Sequence, residues 1–290
     1  MLVAKPGIDK FLACLTQTGR VLVVSTESKA TWASSQYWEG VMSRKAAETL
    51  PGGISGSQPG LKRTFYIGLA VVMVVMVVTG FWASYFGPLL AGTVNVSGTM
   101  HFHGIVFMGC MFLFGAQAYF AARGNIPLHR KLGSLGIYYG AAILVFGVFV
   151  SFYAPIMHIR AGEWTLDEAA AFFPIPIADM ALFAALFIPA VRLRRKPELH
   201  KRLMLMATIA ILFAAVFRLQ AAQWTSMPVA IGLWFVPVLI AMAYDVFKTG
   251  GVNKVYYFGL VAMVVSLIRL PLGSWESWLS VGRDMFAALA

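Results

Sequence analysis

Residues 101–133 read HFHGIVFMGCMFLFGAQAYFAARGNIPLHRKLG, and this stretch decides the class of fold. From Phe102 to Ala122 it holds no Asp, Glu, Lys or Arg. At about 1.5 Å of rise per residue, a helix of that length crosses a hydrocarbon core of about 30 Å. Arg123 follows, and then Pro127-Leu128-His129-Arg130-Lys131-Leu132-Gly133, a basic turn that opens another apolar run. His101 and His103 stand where the first run begins. Gln117 lies about four helical turns beyond His103, so His103, Phe107, Cys110, Phe114 and Gln117 share one face. A face that carries polar groups at both ends is expected to look at protein and not at lipid.

The rest of the chain extends the same pattern. Of its 290 residues, 59% are apolar and 12% charged, with a mean hydropathy of +0.75. A soluble domain carries about 25% charged residues, so a soluble fold is excluded. The formal net charge of +11 does not point to nucleic acid, because Lys and Arg sit in the short turns between apolar runs. There they orient spans and meet anionic lipid head groups. Cys14 and Cys110 are far apart and provide neither a disulfide framework nor a paired-cysteine metal site.

Seven apolar runs follow one another: Thr64 to Gly87, Phe102 to Ala122, Leu132 to Ala154, Ile175 to Val191, Leu203 to Ala222, Met227 to Phe247 and Val255 to Leu270. Every backbone polar group in hydrocarbon has to be satisfied within its own segment, so these are helices, and the fold class is all-α. The fourth is the weakest, with Pro176, Asp179 and Pro189, and a kink is expected at Pro237 in the sixth. Gly136 and Gly140 have the spacing that lets a neighbouring helix approach closely, and read equally as ordinary glycines of a membrane helix.

The turns give an orientation. One set holds Lys62, Arg63, Arg123, Arg130, Lys131, Arg192, Arg194, Arg195, Lys196, Lys201, Arg202, Lys248 and Lys254, and the alternate set holds only Arg160. The positive-inside rule then predicts that the basic turns face the cytoplasm, with the N-terminus inside and, after seven spans, the C-terminus outside. The largest outer connection is expected between Tyr153 and Ile175. Beyond Pro271, Trp275, Trp278, Leu279 and Phe286 alternate with Glu276, Arg283 and Asp284, the pattern of an amphipathic helix along the outer surface. Residues 1–61 carry charge throughout, and the apolar piece from Phe11 to Ser25 is too interrupted for the core of a signal peptide. They are expected to be a cytoplasmic segment ending in the Gly/Ser/Pro linker around residues 50–60. Met42 offers a second start, and residues 1–41 read equally as an upstream extension of the frame.

Ionisable groups inside the spans are where chemistry is expected, since each costs a few kcal/mol unless it finds a partner. Laying Arg123 on Arg194 places Leu128-His129-Arg130-Lys131-Leu132 on Leu199-His200-Lys201-Arg202-Leu203. The third and fifth spans then echo one another. Packing about a pseudo-twofold axis would bring His129 and His200 together at the cytoplasmic face, either as ligands of a b-type haem or as anchors to lipid phosphates. Near the outer end His103, Asp179, Arg218 and Arg269 fall at similar depth. Asp179 with Arg218 is the expected buried ion pair, and Arg269, Gln220, Gln223 and Trp224 would complete a polar pocket. That group reads as a register-fixing salt bridge, as a site for a haem carboxylate or quinone, or as a proton or ion relay. Asp245, beside Lys248, reads as interfacial. No metal site is expected: His101, His103 and His158 are not joined by thiols or by a carboxylate cluster.

The ordered pattern of His103, Gln117, the HRxLG turn at His129, Arg130, Leu132 and Gly133, the HKRLM start from His200 to Met204, and Arg218 resembles a broad group of uncharacterised bacterial polytopic membrane proteins. The resemblance covers roughly residues 62–225. It implies a membrane fold and no particular activity, and it makes His103, Gln117, His129, His200 and Arg218 the residues to follow. Three functions stay open: a redox-associated protein holding haem b or quinone between helices through those residues and Arg269; a proton-coupled transporter of small solutes; or an assembly subunit with membrane-protein partners.

Overall fold

The computed structural model describes residues 11–15, 20–25, 30–34 and 59–290, with side chains from Thr64 onward. It divides into two units, residues 1–58 and 59–290. In the first, β1 (Phe11–Leu15), β2 (Arg20–Ser25) and β3 (Ala30–Ser34) pair as an antiparallel meander. Met42 and most of the linker lie outside the described residues.

The second unit is all helical among its described residues. In chain order it runs α1 (Pro59–Gly80), a π turn (Trp82–Phe86), α2 (Gly87–Leu90), α3 (Gly98–Ala122), α4 (Ile126–Arg160), α5 (Leu166–Phe172), α6 (Pro174–Arg192), α7 (Pro197–Ala210), α8 (Phe213–Ala221), α9 (Met227–Thr249), α10 (Lys254–Ser266), α11 (Arg269–Leu272) and α12 (Glu276–Leu289). Among the described residues six helical stretches are long and apolar enough to cross a membrane, or seven if α1 and its continuation, bent by 56°, count as one span. The chain is an integral membrane protein of the polytopic helical class.

Local chemistry explains most helix ends. Ser97, Asn125 and Asn253 each accept a backbone N–H of the first turn of α3, α4 and α10. Gly124 and Gly250 take the positive φ values of 74° and 76° that let α3 and α9 stop sharply. The third span is longer than its apolar run, because α4 continues through Pro155 to Arg160. The connection after it is therefore a short turn and then α5, held by a capping box between Thr165 and Glu168.

Four helices close a ring: α3 packs on α4, α4 on α6, α6 on α7, and α7 on α3. In that ring α4 and α7 are diagonal partners. Gly140 of α4 lies against Phe187 of α6, whereas Gly136 looks toward Leu113 of α3, so the two glycines serve different neighbours. α1 crosses α8 so closely that a Cβ at Gly80 would collide with the Ala215 carbonyl. The fifth span, α7 with α8, is the hub: 72% of its most apolar window is buried, against 11% for α3.

α12 is amphipathic as its sequence predicts, and it docks on α5. Phe286 is fully buried, Trp278 donates Nε1–H to the Ala170 carbonyl at 2.7 Å, and Trp275 and Val281 stay exposed. Arg283 bridges Glu276 and Asp167, whose carboxylates raise its guanidinium pKa above the ordinary value.

Candidate functional site

The turns after α3 and α6 carry the basic residues, and His129 and His200 each stand in the first turn of the helix that follows. Nδ1 of His129 lies 3.2 Å from the backbone carbonyl of Gln117, and Nδ1 of His200 lies 2.9 Å from that of Ala190. Each bond crosses its own hairpin, from the start of the second helix to the last turns of the first. A carbonyl only accepts, so each Nδ1 carries the proton and donates it. In the neutral ring the lone pair is then left on Nε2, the arrangement that orients histidines as ligands. The two half-buried imidazoles stand in the first turns of the diagonal helices α4 and α7.

Gln117 is the third member of this end. Its side-chain Nε2 and Oε1 are both buried and have no hydrogen-bond partner among the described residues. A Cβ at Gly133, one turn beyond His129, would sit 3.6 Å from Nε2, so the glycine leaves the amide uncrowded. An amide with both functions unmade is expensive to bury unless something bonds it.

Next to this group lies an ion pair that the sequence reading missed. Asp245 is not interfacial: it is buried, and it accepts two bonds from Arg202, from Nε at 2.9 Å and from Nη2 at 2.7 Å. Nη1 of Arg202 donates to the Glu198 backbone carbonyl and side chain, each at 2.7 Å. The sequence carried half of the signal: Asp245 lies within the sixth apolar run, two residues from its end, and needed a partner, whereas Arg202 stands just before the fifth run and reads as part of a basic turn.

At the opposite end the expected pairing is corrected. Asp179 pairs with Arg269 at 2.5 Å, and not with Arg218. α11 packs on α6 and carries Arg269 to Asp179, whereas Arg218 leaves α8 on the side of α1, with its Cζ 5.4 Å from the centre of the Phe81 ring. Depth along the helices brought these groups to one level, but the angle around each axis separated them. Arg269 stacks on Phe213, 3.8 Å from the ring centre, and its Nε and Nη2 are buried without a hydrogen-bond partner among the described residues. It stands between two interrupted spans, α7/α8 and α10/α11. Trp234 donates Nε1–H at 2.8 Å to the Ile209 carbonyl at the first interruption. Gln223 and Trp224 are exposed in the turn after α8 and do not complete a pocket around Asp179.

His103 lies near the start of α3. Its ring lies 4.3 Å from that of Phe107 and its Nδ1 is buried and unpartnered among the described residues, while the charge of Arg218 acts on it. His101 is turned away to Tyr85, whose hydroxyl lies 2.8 Å from its Nδ1. His158 is engaged by Glu163 at 2.6 Å and stacked on Trp164. The residues followed from the sequence therefore fall into three places: His129, His200 and Gln117 at the basic end; Asp179 with Arg269 opposite; and His103 beside Arg218.

No protein-family model, curated protein or solved structure matches this chain.

Proposed function

We propose that this integral membrane protein is redox-associated and holds a b-type haem between its helices, with His129 and His200 as the residues that would hold its iron. The observation that carries the reading is that both imidazoles, on diagonal helices of one four-helix ring, have Nδ1 committed to a backbone carbonyl and Nε2 left as a lone pair. Two neutral nitrogen donors suit a haem iron. Haem, when bound, supplies one-electron chemistry. The chain's own part is to fix the tautomer and direction of each ring through the Gln117 and Ala190 carbonyls, and to offer Arg130 and Arg194 to carboxylates. By the positive-inside rule this end faces the cytoplasm of a bacterial inner membrane, among anionic head groups, with the N-terminus inside and the C-terminus outside.

Gln117 favours a second reading, a quinone, because an amide with one free donor and one free acceptor suits a ring carbonyl and its reduced hydroxyl. The reduced-minus-oxidised absorption spectrum of the detergent-purified protein, with pyridine extraction of haem, separates the two. A stoichiometric b-type signal lost in His129→Ala and in His200→Ala, and kept in His103→Ala, is the expected result. A flat spectrum from folded protein overturns haem. Solvent extraction that then finds quinone in the wild type and not in Gln117→Leu transfers the proposal to quinone.

A further inference from the structure

Independently of the haem reading, we propose that the Asp179–Arg269 pair is a binding site for a small carboxylate, which the free edge of Arg269 holds side-on and which enters together with one proton.

The two buried arginines differ at one edge. Arg202 holds Asp245 through Nε and Nη2, the side of a guanidinium that matches the two oxygens of a carboxylate. In Arg269 the same two nitrogens are buried and have no acceptor among the described residues, while Nη1 alone donates to Asp179. Arg269 is 1% exposed, so bulk solvent does not stand in for the missing acceptor. A guanidinium neither sheds its charge nor accepts a bond, and burying that edge unmet is costly. Its complement is a group with two oxygens in one plane, as Arg202 already has in Asp245.

The backbone around Arg269 is of the kind that surrounds bound solutes. Arg269 begins α11, a four-residue piece set off from α10 at Leu267 and Ile268, and it stacks on Phe213, where α8 begins after a similar interruption. Irregular backbone at membrane depth is kept where protein buries it or where it lines a cavity, and interrupted spans are a recurrent place for small-solute sites. Phe213 and Trp234 cover the guanidinium, with ring centres 3.8 and 5.2 Å from its Cζ, and both are buried. The occupant is therefore small. Beyond α11 the chain is exposed from Ser274 to Ser277, so the site lies a short way in from the end of the span.

Charge balance supplies the proton. Asp179 and Arg269 are neutral as a pair, and a second carboxylate would leave one negative charge buried without a partner. One proton taken up with the anion, on either carboxylate, removes that charge. The other ionisable groups on helices packed against α6 are engaged or distant. On α4, His158 is held by Glu163, Arg160 donates to the Ala290 carbonyl, and Tyr139 and Tyr153 donate to Val106 and Ser97. On α5, Asp167 and Glu168 bond Arg283 and Thr165. Glu198, His200, Lys201 and Arg202 of α7 and Lys254, Tyr256 and Tyr257 of α10 stand in first turns at the basic end, as do His129, Arg130 and Lys131 of α4.

Thermal-stability titration of the full chain in mild detergent with sodium acetate, against sodium chloride at equal ionic strength, tests this directly. Acetate is expected to raise the midpoint and chloride to leave it unmoved. The apparent affinity for acetate should weaken about tenfold for each unit of rising pH, as one proton bound with each anion requires. In Asp179→Asn the site is already cationic, so acetate should bind without that pH dependence and restore the midpoint that the substitution lowers. Binding should fall about tenfold or more in Arg269→Lys, which keeps the charge and loses the edge. Asp179→Leu combined with Arg269→Met leaves no buried charge and should fold without responding to acetate. Equal responses to acetate and chloride overturn the proposal, as does a response that the double variant keeps. No response to acetate at any pH also overturns it and leaves the edge to internal water. Acetate binding by the wild type with no pH dependence overturns the coupled proton. If the single variants do not fold, the double variant and the pH dependence of the wild type decide.

Discussion

Among its described residues the protein buries one Arg–Asp pair at each end of its bundle, and the two are built differently. At the basic end the Arg202 and Asp245 side chains are 4% and 1% exposed, and every nitrogen of the guanidinium donates: two to Asp245, the third to Glu198. At the other end the Arg269 and Asp179 side chains are 1% and 5% exposed, yet a single nitrogen donates and the other two have no acceptor among the described residues. Burial is the same, so satisfaction is what differs. A buried pair offsets its desolvation only when its remaining donors are bonded too. The Arg202 pair therefore reads as a lock between α7 and α9. The Arg269 pair, held on an aromatic face between two broken spans, is the less settled of the two.

Replacing each carboxylate tests that difference. The largest effect is expected for Asp179→Asn, which removes the carboxylate facing Arg269 and strands a buried cation, at a cost of about 3–5 kcal/mol. Reversible unfolding in mixed micelles measures it. Joint replacement by Asp179→Leu and Arg269→Met should recover most of the loss, since no buried charge remains. Recovery would show that the pair is dispensable for folding; failure to recover would make it a lock like the other one. A smaller loss, about 1–2 kcal/mol in the same assay, is expected for Asp245→Asn, because Glu198 keeps its bonds to Arg202 and the new amide still accepts one. If Asp245→Asn proves costlier than Asp179→Asn, the argument from satisfaction fails. The smallest effect belongs to Arg283→Gln. Its partners Asp167 and Glu276 are 55% and 77% exposed, so the thermal midpoint should not move, in low or in high salt.

How much of this could be read from residues alone differs by feature. The spans were legible because apolar length and membrane thickness are both one-dimensional, and the ends of α3, α6 and α9 fall within a few residues of their apolar runs. The echo of His129 in His200 was legible as well, and in the fold each Nδ1 donates to a backbone carbonyl across its own hairpin. The hub was not. α3 and the α7–α8 span have mean hydropathies of 1.8 and 2.0, but α3 is mostly turned outward and α7–α8 is central. Lipid and protein interior are equally apolar, so composition does not tell a lipid-facing helix from a buried one. Asp245 was visible as an ionisable group inside an apolar run, but Arg202 read as one of the basic turn residues; nothing along the chain joined them, and Lys248 offered Asp245 a nearer partner that the fold does not use.

Asp179 shows where the division falls. Its depth, and its need for a cation, follow from its place in an apolar run, and the same holds for Arg218 and Arg269. Which of the two arginines meets it depends on the order of helices around the bundle and on the rotation of each about its axis. Those angles are set by contacts such as Gly80 against Ala215 and Gly140 against Phe187, between residues far apart in the chain. The class of fold, the succession of apolar helices and the level of each charge along its own helix were therefore determined by the sequence. The central helix and the partner of each charge were decided only when the helices packed.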